Sequence, residues 1–291
     1  MLSGVWHQIV FLSYVAALGL ELLGPKRRLA GVRAALVALM VVGIAAQAIE
    51  LTRHAILVDS PPLASPAEWL YMAAVVLAAA YLAAIFYLPT TPIGVLALPL
   101  VLCLVVAAGH ASQEPFSPSR TSLVWGSIHG VALLLGTVAV CVGFWAGLMY
   151  LVQSYALKHP RSSSTGFRLP SLEWLERVNS RALGLSTLLI AVGCGSGVVL
   201  SLTSHRDNAD HSIWRDPVVI SSAAMMIWLF AAELFRWLYP AARQGRKVAY
   251  LTLASFVFLA ATVASLTLVD TSHGRASTSS ATAPSSEAAS S

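Results

Sequence analysis

The side chains in this sequence best suited to chemistry are its eight histidines. His129 lies about six residues into an apolar run that starts at Leu123, and only Cys141, Tyr150 and Tyr155 share that run as ionisable groups. Ionisable groups are expensive inside a membrane and tend to line a site. An imidazole placed there can ligate a metal or haem iron, carry a proton, or stay neutral and hydrogen-bond to a neighbouring helix. Two more histidines, His205 and His211, fall in the polar stretch from Ser204 to Pro217. Its end reads as capping chemistry, with Asp216 as helix N-cap and Pro217 at the first helical position. Trp214 just before them suits an interface anchor. Cys103, Cys141 and Cys194 are isolated in apolar segments without a C-x-x-C pair, and are expected to be small buried residues rather than a thiol–disulfide centre.

The elements that must position these groups follow from composition. Hydrophobic residues make up 57% of the chain and charged residues only 11%, against about 25% charged in a soluble domain. With a mean hydropathy of +0.74, lipid is the solvent that accommodates so much apolar surface. The expectation is an all-α, polytopic transmembrane helix bundle occupying residues 1–270. Eight runs are long enough to cross about 30 Å of hydrocarbon: residues 5–23, 31–49, 69–88, 92–109, 123–152, 182–203, 217–238 and 248–269. The fifth run projects beyond the membrane at its C-terminal end. The first has no Lys or Arg before it and reads as a retained helix. Residues 276–291 are Ser- and Ala-rich and read as a disordered tail.

Lys and Arg set the orientation. Thirteen of the eighteen fall in the segments 26–33, 158–181 and 236–247, on one side of the predicted bundle. The positive-inside rule makes that side cytoplasmic and puts both termini outside. The net charge of +5 is therefore a topology signal, and no nucleic-acid-binding motif accompanies it. In this frame seven of the eight histidines lie at or near the outer face: His54, His110, His205, His211 and His273 in loops or at helix ends, and His7 and His129 in the outer third of their helices. Only His159 is cytoplasmic. Within the long inner loop, Leu172, Leu175 and Val178 recur three apart, which predicts a short amphipathic segment at the interface. Glu233 and Arg236 read as a helix-end i,i+3 pair.

The order of motifs resembles a known family. Leu123-Val-Trp-Gly-Ser-Ile-His129-Gly opens the fifth run, and Met149-Tyr150-Leu151-Val152-Gln153 ends it. Leu169-Pro170-Ser171-Leu172-Glu173 follows, then a span marked by Gly184, Gly193, Gly195 and Gly197. Trp214-Arg215-Asp216-Pro217, Gly245-Arg246-Lys247 and Ser272-His273-Gly274 complete the series. Over residues 123–275 this is similar to the cytochrome c assembly family of haem-handling membrane proteins, in its shorter HemX- and CcsA-like form.

The resemblance implies a haem b, transient or bound, presented at the outer face. It implies His129 and His273 as axial iron ligands, with Trp214, Asp216 and Pro217 forming the end of the haem-presenting segment. Two imidazoles would make the iron six-coordinate and closed to oxygen chemistry, as suits a haem chaperone or ligase subunit rather than an enzyme turning over alone. Implied partners are other cytochrome c assembly subunits, apocytochrome c and the lipid bilayer of a bacterial cytoplasmic membrane. A second expectation is a HemX-like regulator of haem biosynthesis, working through residues 157–181 and a membrane or cytoplasmic partner. A third, a small-solute or proton-coupled transporter, would want ionisable groups along a path through the bilayer, and the predicted limits of spans three, four, six and eight exclude charged residues and histidine.

Overall fold

In the computed structural model the apolar runs form eight α-helices among the described residues. It describes residues 5–23, 30–58, 63, 65–87, 93–113, 120–158, 170–204, 216–239 and 245–268. The helices are α1 (Val5–Leu22), α2 (Ala30–Val58), α3 (Pro66–Tyr87), α4 (Gly94–His110), α5 (Arg120–Lys158), α6 (Leu172–Ser204), α7 (Pro217–Leu238) and α8 (Arg246–Leu268). There are no strands among the described residues. Among the described residues seven helices are long and apolar enough to cross a membrane, and α4 is a shorter apolar helix of 17 residues. The chain is an integral, multi-pass membrane protein. Its outer surface agrees: large apolar side chains such as Leu12, Val41, Phe86, Leu188, Ile227 and Val257 face outward, where lipid replaces water.

Packing divides the helices into two sets of four. α1 lies on α2 and α4, and α3 on α4, while α5 packs along α6 and α8, and α7 on α8. The halves meet where α3 touches α5 and where α4 touches α8. Small residues let α5 and α6 approach closely. A Cβ on Gly136 would come within 2.7 Å of Ile190 Cδ1, and one on Gly193 within 2.5 Å of Leu133 Cδ2.

A polar clamp fixes α6 to α5 and α8. With its amide oriented to satisfy both ends, buried Asn179 donates to Thr252 Oγ1 (2.9 Å) and the Gly143 carbonyl (3.0 Å). Its oxygen accepts from the Ala249 N–H (3.2 Å), a first-turn donor of α8 that has no partner within its own helix. Gly245, at φ +78°, makes the left-handed turn into α8. Arg246 then donates to Ser154 Oγ on α5 at 2.9 Å.

Three expectations change. The second span does not stop at residue 49, because α2 continues to Val58 and is about 44 Å long. Leu172, Leu175 and Val178 do not form a separate interfacial segment. They are the first turns of one continuous α6, because Leu175 is fully buried and lies on the same stripe as Asn179, Leu183 and Ser186. Cys103 is exposed on α4 rather than buried, whereas Cys141 is buried and Cys194 half-buried.

Candidate functional site at the histidine-bearing end

His129 lies in the first half of α5, half-buried against α6. Its Nδ1 is 2.7 Å from the Gly193 carbonyl. A carbonyl only accepts, so Nδ1 carries the proton, and the lone pair of the neutral ring is on Nε2. The ring rests on Gly197, where a Cβ would come within 2.9 Å of both Cε1 and Nδ1. Gly193 therefore supplies the acceptor and Gly197 the space. Val124, Trp125 and Ile128 on α5, and Val198 and Leu202 on α6, all within five residues of His129 or Gly197 in the chain, are exposed apolar side chains.

Of the other predicted site residues, Asp216 and Pro217 open α7. Asp216 is buried, and its carboxylate accepts from the Val218 N–H at 2.8 Å, the N-cap that the sequence predicts. His273 and Trp214 lie outside the described residues, as do His159, His205 and His211. At the other end of α7, Arg236 donates to Glu233 at 2.7 Å and also to Ser180 on α6, so the i,i+3 pair is also tied to a neighbouring helix.

The first four helices hold a polar cluster that sequence reasoning missed. Gln47, Glu50 and His54 line one face of α2 and are all buried. His54 is thus inside a helix rather than in a loop, with its Nδ1 2.6 Å from Oε1 of Glu68, an α3 carboxylate that is 1% exposed. Tyr71, one turn further along α3, stacks on His7 with ring centroids 6.0 Å apart and planes 21° from parallel. Glu50 is within electrostatic reach of both His7 and Tyr71. Tyr14 on α1 donates to Gln47 Oε1 at 2.5 Å, its ring lying so close to α2 that a Cβ on Gly43 would come within 2.5 Å of it. Toward the opposite end, Tyr81 donates to fully buried Glu21. The available signal was the heptad spacing of His7, Tyr14 and Glu21 on α1, together with the 47–50–54 stripe on α2. Hydropathy limits alone hid it, because they cut α2 before Glu50 and began α3 after Glu68.

Contacts join this cluster to the end that bears His129. Gly109, beside His110 at the end of α4, faces His7, with a Cβ there 3.9 Å from Cε1. Trp69 on α3 packs onto Gly130 of α5 so closely that a Cβ on Gly130 would clash with the indole. His7, His54, His110 and His129 therefore belong to one end of the bundle. Among the described residues no group of three or more His, Cys, Asp or Glu could hold a metal ion, whereas a haem needs from the protein only one imidazole on each face of its iron. His129 could supply one such imidazole. No protein-family model, curated protein or solved structure matches the chain.

Proposed function

We propose that this protein is a haem-binding membrane protein of cytochrome c biogenesis. Ferric or ferrous haem b is held at the histidine-bearing end by His129 and His273 and delivered to apocytochrome c with the help of other assembly subunits. Its place is the bacterial cytoplasmic membrane, with that end outside. The observation that carries this reading is the tautomer and seating of His129. Haem- and metal-ligating histidines commonly donate their second ring N–H to a backbone carbonyl, which orients the ring and raises its basicity. The Gly193 carbonyl, with Gly197 beneath the ring, does this for His129.

The rest of the chemistry supports the same reading. Exposed apolar side chains near His129 along α5 and near Gly197 along α6 suit a flat macrocycle, while Asp216 and Pro217 fix the start of α7, which follows Trp214 in the chain. Bis-imidazole ligation leaves no open iron position, so the residues present a cofactor rather than turn one over.

The test is a haem titration of the purified, detergent-solubilised protein followed by its Soret band. Wild type and His159→Ala should bind equally. His129→Ala and His273→Ala should each weaken binding by about tenfold or more, an order of magnitude typical of losing a ligand or its support. A wild-type protein that stays colourless with added haem contradicts the proposal.

A further inference from the structure

α1, α2 and α3 carry a second site that haem ligation does not use. Its groups are His7 and Tyr14 on α1, Gln47, Glu50 and His54 on α2, and Glu68 and Tyr71 on α3. All but half-buried His7 are buried. Such a set opposes folding in lipid unless something compensates, because each buried polar atom without a partner loses its hydration with nothing in return. Three atoms of the set have no hydrogen-bond partner among the described residues: His7 Nδ1, Tyr71 Oη and Gln47 Nε2. Tyr71 and Gln47 are themselves fully buried. Unpartnered atoms gathered at one seam call for a small polar ligand.

The chemistry of the set decides which ligand. No three of its metal-binding groups are arranged to hold a metal ion. Every member except Gln47 can gain or lose a proton, and Gln47 both donates and accepts. Successive groups on one helix are one or two turns apart, about 5 to 11 Å along the axis, distances that one water or a short chain of waters spans. Along α2 exposure falls from His54 at 9% through Glu50 at 6% to Gln47 at 0%. His54 to Gln47 is about 10 Å along α2. Beyond Tyr14 the seam is closed by Ala17, Ala74, Leu77 and Ala78, all fully buried, before Glu21 and Tyr81 are reached.

We propose that this seam is a proton-exchange site inside the membrane, open through water to the histidine-bearing end only, with His54 and Glu68 at its mouth and Tyr14 and Gln47 at its floor. A proton from water adds to a Glu50 or Glu68 carboxylate oxygen or to an imidazole nitrogen and leaves by the same route, and no other bond changes. The charged and titratable groups facing these acceptors are His7, Tyr14 and Tyr71, with the Arg53 guanidinium 4.0 Å from Glu50 at the rim. On α4, His110 is exposed and its Nδ1 is turned onto its own Val106 carbonyl.

The probe is dicyclohexylcarbodiimide, an apolar reagent that adds to protonated carboxyls within membranes, applied to the full-length protein in right-side-out and inverted vesicles without added haem. Peptide mass spectrometry reads the modified positions. Glu50 or Glu68 should be labelled at a rate that falls by about tenfold per pH unit once the carboxyl is mostly ionised. The rate should follow the pH on the histidine-bearing side alone, and Glu68→Gln should remove the label at position 68. Labelling of neither residue, labelling indifferent to pH, or labelling that follows the opposite side overturns the proposal. Because no haem is present, its failure would leave the haem reading standing, and the converse also holds.

Discussion

His129 is held by two glycines that do different jobs. Gly193 accepts its Nδ1 proton, and Gly197 leaves room for the ring. Gly197→Ala would put a methyl 2.9 Å from two ring atoms, so the imidazole must move and the bond to the Gly193 carbonyl must lengthen. The expected result is haem binding weakened by about tenfold to a hundredfold, the range seen when a ligand loses its supporting partner. Protein yield and helix content should stay unchanged, measured by haem titration beside circular dichroism. The sequence singles out His129 because an ionisable group in an apolar run stands out, and it shows Gly193 and Gly197 as a spaced pair. It does not show that the pair faces His129, since a residue 64 positions away is brought near only by packing. The same limit hides Glu21–Tyr81, whose partners are 60 residues apart.

Helices were easier to read than their ends. Hydropathy marks where a segment is apolar, and a helix stops only where its backbone does. α2 runs on through Glu50, Arg53 and His54 because Glu50 and His54 face α1 and α3, while Arg53 reaches the exposed surface. α6 begins at Leu172 because Leu175 and Asn179 already lie on its buried stripe. At this scale the Asn179 clamp makes a firm prediction. Asn179→Leu would leave Ala249 N–H, the Gly143 carbonyl and Thr252 to find other partners in a dry interface. It should destabilise the protein by about 1–3 kcal/mol, read as a lower unfolding midpoint in detergent. Thr252→Val should give part of the same loss. Unchanged midpoints for both would mean the clamp contributes nothing.

At the scale of the molecule, a multi-pass helical bundle follows from composition together with apolar runs long enough to span a bilayer as helices. Its division into two four-helix sets does not, since it depends on which small residues let which helices touch. What unites the molecule is the collection of imidazoles at one end, reached by topology from α1, α2, α4 and α5 together. In the proposed function, haem iron is gripped there by two of them. Electron paramagnetic resonance of the protein loaded with ferric haem tests this most directly. Two imidazole ligands predict a low-spin signal in wild type that turns high-spin in both His129→Ala and His273→Ala. A low-spin signal that survives the removal of both histidines would contradict it.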